Sequence, residues 1–156
     1  MAQEIERKFL VLRDKWQPKD KGERICQGYL SEDKERTVRV RLKGEKAFLT
    51  VKGKNDGISR AEFEYEIPVK DGEAMLKLCR KPLVEKIRYC EEVAGHVWEI
   101  DCFYGANDGL IMAEVELANA VEEVILPSWA GKEVSADSRY YNANLRQHPY
   151  CEWKKD

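Results

Sequence analysis

The sequence predicts a mainly β (α+β) fold, an antiparallel sandwich or barrel of eight short strands with a few helices. Three observations carry this. Seven segments alternate with a period of two residues, the mark of strands whose two faces differ chemically, and residues 25–30 add an eighth strand. Gly, Asp, Asn and Pro separate them at short intervals, which favours antiparallel connections over βαβ units. Helical signals are confined to three stretches.

In order, residues 3–11 place Glu4, Glu6 and Lys8 on one face, with Ile5 and Phe9 on the other. A second strand is expected around residues 25–30. Residues 37–43 set Arg39, Arg41 and Lys43 against Val38, Val40 and Leu42. Residues 46–53 put Lys52 in phase with Phe48 and Thr50, and Gly44-Glu45-Lys46 reads as the hairpin between these strands. Residues 60–67 oppose Arg60, Glu62, Glu64 and Glu66 to Phe63, Tyr65 and Ile67. Residues 84–90 pair Lys86 with Arg88 against Ile87 and Tyr89. Residues 97–103 set Glu99 and Asp101 against Trp98, Ile100 and Cys102, and residues 111–117 set Glu114 and Glu116 against Val115 and Leu117. Lys43, Arg60, Glu66 and Glu99 share the charged phase but are expected at exposed strand ends. One helix is expected from Asp71 as N-cap to the residues before Pro82, a short one over 119–126, and one over 140–147 before Pro149. No repeat or linker divides the chain, so residues 1–156 read as a single domain.

The charged fraction is high, 36%, yet 27 Lys+Arg nearly cancel 29 Asp+Glu to leave a net charge of −2. Such balance argues against a nucleic-acid surface built on excess positive charge. No apolar run exceeds four residues, so no membrane span is expected. The N-terminus lacks a secretory h-region, and the five cysteines show no CxxC spacing. Free thiols in a reducing cytoplasm are therefore expected. Monomer and homodimer both remain open.

The informative feature is the sorting of charge. Individual strands carry one sign: acidic at Glu4/Glu6, basic at Arg39/Arg41, acidic at Glu62/Glu64, basic at Lys86/Arg88, acidic at Glu114/Glu116. Either this is a solvated outer face laced with cross-strand ion pairs, or the sheet closes with its charged face inward around a small ligand. In the second case buried acids require cations and buried bases require anions. A phosphate polyanion with a hard divalent metal, Mg²⁺ or Mn²⁺, satisfies both sets.

The same residues carry a resemblance. ExExK at Glu4–Lys8, RVR at 39–41, TVKG at 50–53, EFE at 62–64, KIR at 86–88, EID at 99–101 and EVE at 114–116 resemble the CYTH superfamily, the triphosphate tunnel metalloenzymes, across nearly the whole chain. The stretch 131–145 resembles the closing segment of small bacterial members. The resemblance implies a closed eight-stranded antiparallel β-barrel tunnel with helices packed outside. It also implies metal at Glu4, Glu6, Asp101, Glu114 and Glu116, and phosphate oxygens gripped by Lys8, Arg39, Arg41, Lys52, Lys86 and Arg88. Glu62 and Glu64 match supporting acids of the tunnel wall. Arg139, Tyr140, Tyr141 and Asn142 match a tail motif that covers a tunnel mouth or docks the terminal helix.

The expected activity is hydrolysis of inorganic tripolyphosphate to pyrophosphate and phosphate by a metal-activated water, with Glu4, Glu6, Lys8 and Glu116 at the chemistry. Thiamine or nucleoside triphosphatase, a class IV-type adenylate cyclase and a non-catalytic polyphosphate-binding module are the alternatives.

Overall fold

The computed structural model describes residues 3–153. Nine strands are present among them: β1 (Gln3–Val11), β2 (Glu23–Asp33), β3 (Arg36–Lys43), β4 (Lys46–Lys52), β5 (Ser59–Ile67), β6 (Val84–Val93), β7 (His96–Tyr104), β8 (Ile111–Glu116) and β9 (Ala130–Glu133). Helix α1 covers Val69–Leu78 and α2 covers Asn142–Gln147. The strand order is β5-β4-β3-β2-β6-β7-β8-β1, and an additional β5–β1 pairing closes these eight into an antiparallel ring.

β1 makes the closure possible because it is long enough to serve three neighbours. Residues 3–5 pair with β5, residues 6–10 with β8, and residues 9–11 with the short β9. The β3–β4 hairpin turns at Gly44, whose φ of 59° favours a residue without a Cβ.

The ring inverts the usual sheet. Outward-facing Phe9, Trp98, Ile100, Ala113 and Val115 form a core with Trp16 and Trp129 from the loops. On another side α1 lays Leu76 over Val40 and Leu42. Gly72 lets the helix approach this closely: a Cβ there would stand 2.6 Å from the Cβ of Ala47. The inward phase is charged along most of its length. On β1, β8, β7 and β6 it turns apolar at one end, at Leu10, Met112, Phe103 and Val84, and there Val134, Tyr140 and Leu145 pack onto it. The tail thus plugs one end of the ring.

Two helix expectations need correction. α1 starts at Val69 behind Pro68, so Asp71 falls in its first turn instead of at the cap, where its charge still faces the free N–H groups. Residues 119–126 form no helix. Val121 and Ile125 are exposed, so a helix there would bury no apolar face, and an eight-residue segment cannot sustain one alone. Instead Asn119 and Glu122 side chains accept from the backbone N–H groups of Val121 and Ala118. No helix among the described residues is long and apolar enough to cross a membrane.

Candidate active site

The ring encloses a cavity of about 500 Å³, lined by basic and acidic side chains in nearly equal number. Glu4, Glu6, Lys8, Arg39, Arg41, Lys52, Glu62, Glu64, Lys86, Arg88, Glu114 and Glu116 all line it. Period-two alternation sets each in the charged phase of its strand, ring closure turns that phase inward, and strand register then decides which groups meet.

On the β1–β8 wall, Glu6 stands opposite Glu116 and Lys8 opposite Glu114. Lys8 Nζ lies 3.5 Å from Glu114 and 4.0 Å from Glu6, against the ring of Tyr141. Burial raises the Glu6 carboxyl well above its ordinary range, and the neighbouring Glu114 pushes it further. Burial opposes ionisation of Glu114 too, but Lys8, Arg88 and Lys86 outweigh it and hold that carboxyl well below the usual range. The two carboxyls are thus pushed in opposite directions by their different neighbours.

On the β3–β4–β5 wall, Arg39, Thr50 and Glu64 line up across three strands. Glu64 Oε2 lies 3.4 Å from Arg39 and 3.5 Å from Arg41, and it accepts a hydrogen bond from the Thr50 hydroxyl at 3.1 Å. Both guanidinium groups are buried, and the Nε atoms of Arg39 and Arg41 have no hydrogen-bond partner. Burial lowers the Arg41 pKa, and Arg39 and Arg88 add to the effect. Lys52 Nζ sits 3.3 Å from both Glu4 and Glu62. Burial raises the Glu62 carboxyl, and its hydrogen-bonded neighbour Glu4 raises it further.

On the β6–β7 wall, Asp101 departs from expectation. It does not line the cavity, and it is only 2% exposed. Its Oδ1 and Oδ2 accept from Arg88 Nε and NH2 at 2.8 and 2.9 Å, and Lys86 Nζ lies 2.8 Å from Oδ2. Both oxygens are taken by Arg88 and Lys86, bases that themselves line the cavity, so the carboxylate expected to hold metal stands here as their ion-pair partner. Burial pushes the Lys86 ammonium down to about 8, since Asp101 only partly offsets desolvation and Arg88 adds repulsion.

Other cavity residues escaped the sequence reading. Arg60 and Glu99, expected at exposed strand ends, line the cavity; Arg60 braces the β4–β5 connection through Gly53 O, and Glu99 accepts from Arg88 at 3.2 Å. Tyr29 lines the cavity, and Gln27 lies fully buried behind it. They occupy the inward phase of β2 over residues 25–30, a stretch without charged side chains, which hid its role. The tail supplies Tyr141 and Asn142, two residues of the tail motif singled out in the sequence.

A divalent cation is implied by the resemblance. The donor set suits one: hard carboxylate oxygens, with Glu6 directly across from Glu116 and Glu99 directly across from Glu114, pairings that repel in an empty sheet. Among the described residues no three acidic, histidine or cysteine side chains already form a metal-holding group. The acids stand in pairs, each set with an ammonium or guanidinium nearby.

The model of the CYTH domain matches residues 2–148. The chain belongs to the CYTH family. An inorganic triphosphatase of Acetivibrio thermocellus is 46% identical over 156 residues, covering 99% of this chain and 100% of that protein. An inorganic triphosphatase of Nitrosomonas europaea is 36% identical over 150 residues, covering 91% and 95%. A solved crystal structure of an inorganic triphosphatase superposes with a TM-score of 0.66 at 34% identity, covering 94% and 95%. The CYTH ring of this chain is thus similar along nearly its whole length to relatives that carry one activity.

Proposed function

We propose that this chain is an inorganic triphosphatase that cleaves tripolyphosphate to pyrophosphate and phosphate inside the ring. The observation that carries the reading is the Arg39/Arg41 pair. Two buried, like-charged guanidinium groups stand side by side with unpartnered Nε donors, on a wall that faces paired carboxylates. Buried cations and buried donors both demand an anion of high charge density. The two relatives of 36% and 46% identity, both named inorganic triphosphatase, support the same substrate class.

Phosphoryl transfer relies on positioning and charge neutralisation more than on covalent chemistry. Arg39 and Arg41 present planar forks suited to bidentate contact with phosphate oxygens, and Glu64 bridges the two. Lys8, Lys52, Lys86 and Arg88 complete the grip and stabilise charge that develops on the transferring group. Glu4, Glu6 and Glu116 would hold a cation on the water side, and Glu114 one on the substrate side. When bound, Mg²⁺ or Mn²⁺ supplies charge neutralisation for phosphate oxygens and acidifies water. Attack by water is favoured over a covalent intermediate, since no cysteine lines the cavity and no histidine stands there as a base for the lining Ser135 and Ser138. Five unpaired thiols suit a reducing cytoplasm.

The test is a panel of tripolyphosphate, ATP and thiamine triphosphate, each with Mg²⁺ or Mn²⁺, scored for phosphate and cyclic AMP. Phosphate released preferentially from tripolyphosphate is expected. Cyclic AMP without phosphate would make the chain a cyclase. Binding with no turnover under either metal would make it a polyphosphate-binding module.

A further inference from the structure

We propose that Asn142, carried by the tail and not by the ring, is a positioning residue that aims the Lys86 ammonium at the substrate. The inference rests on the triphosphatase reading of the same site. Lys86 Nζ offers three N–H donors on a flexible four-carbon stem and has no acceptor capacity. Asp101 Oδ2 takes one donor at 2.8 Å and Asn142 Oδ1 takes a second at 3.0 Å. The third is left for the cavity, whose lining includes both Lys86 and Asn142.

The donor-only character of Lys86 also fixes which way the Asn142 amide points, because only its oxygen can meet Nζ. The same oxygen accepts from Gln27 Nε2 at 3.2 Å, and Gln27 Nε2 also lies 3.1 Å from the Tyr29 hydroxyl. One amide oxygen therefore ties Lys86 to Gln27 on the adjacent strand β2.

Asn142 can aim a neighbour because α2 is anchored without help from Lys86. Leu145 is fully buried in the plug at the end of the ring. Arg146 bonds Glu32 at 2.5 and 3.0 Å and reaches Lys81 O at 3.1 Å. With its helix fixed, Asn142 restricts a cation that would otherwise sweep several directions. Asp101 alone would hold Lys86 as a counter-ion without choosing where its remaining donor points.

The experiment is a double-mutant cycle on tripolyphosphate, read by steady-state kinetics and by calorimetric binding, using Asn142→Leu, Lys86→Met and the double variant. Asn142→Leu keeps side-chain size and removes the acceptor; Asn142→Ala repeats the test should leucine disturb the plug. We expect KM and Kd to rise about tenfold in Asn142→Leu, the order associated with one hydrogen bond to a charged group. kcat should change much less, and the effect should vanish in the Lys86→Met background. An equal loss in both backgrounds, or unaltered KM and Kd in both Asn142 variants, overturns the proposal. Should wild type bind tripolyphosphate without releasing phosphate, the hydrolase reading fails while the Kd cycle still decides the role of Asn142.

Discussion

Asp101→Asn separates two roles that one carboxylate could play. If Asp101 is the counter-ion of Lys86 and Arg88, the substitution strips a buried charge from two buried cations. It also turns an amide N–H₂ toward donors that Asp101 now accepts from at 2.8 and 2.9 Å. Breaking a buried ion pair by removing one partner costs about 3–5 kcal/mol. At about 2–4 °C per kcal/mol for a chain of this size, Tm should fall by roughly 6–20 °C. The metal concentration giving half-maximal phosphate release should stay as in wild type, while KM for tripolyphosphate rises because both cations lose their fixed direction. A metal ligand would behave oppositely. Its neutralisation would relieve crowding among acids in the metal-free protein, leaving Tm unchanged or raised, and would increase the metal requirement. Thermal unfolding without metal, beside a metal titration of activity, decides between them. An unchanged Tm with a shifted metal requirement refutes the counter-ion assignment.

Three other outcomes follow from the same geometry. Glu6→Gln removes one member of a like-charged set, so the metal-free protein should keep or gain Tm while metal-dependent phosphate release drops by at least about 100-fold; full activity would exclude Glu6 from the chemistry. Arg39→Lys keeps the charge but loses the planar fork, and KM for tripolyphosphate should rise about tenfold in steady-state assays. Lys86, with its pKa pushed down to about 8, should lose its proton as pH rises through that value, so KM should climb above pH 8. Stability should move the other way. Between about pH 8 and the ordinary lysine value near 10 the unfolded chain binds the extra proton, so unfolding free energy rises with pH across that window, measurable by denaturant titration.

The strands were legible because charge alternates with apolar residues in nearly every one of them. Their closure was not legible from alternation, which says that two faces differ and not which one is inside. Here the outward face holds Phe9, Trp98 and Ile100, and the inward face holds the charges, the reverse of an ordinary half-buried sheet. It took the resemblance carried by the spaced charge motifs to choose the ring. β9 was invisible because it is only four residues, AGKE, paired to an edge that β5 leaves free on β1. Asp101 illustrates what local sequence lacks. It shares charge and inward phase with the other acids, and only the cross-strand register that sets Arg88 opposite Asp101 reveals its occupation. Gln27 and Tyr29 were missed for the converse reason, being inward but uncharged.

Register also offers a way to sort the cavity acids by role. Where the ring sets an acid directly across from a base, as in Glu62 with Lys52 and Asp101 with Arg88, the pair is satisfied without ligand. Such acids hold bases in place, and Glu64 acts likewise from one position along, between Arg39 and Arg41. Where the ring sets acid against acid, as in Glu6 with Glu116, like charges stand directly opposite one another, a pairing that disfavours the sheet. The fold demonstrates elsewhere in the same ring that it can alternate sign across strands. Its failure to do so at Glu6 and Glu116 fits the cation proposed for these two acids. The same logic predicts that a base placed there, as in Glu116→Lys, would raise Tm and end phosphate release together; a variant that gained neither stability nor lost turnover would break the link between register and role.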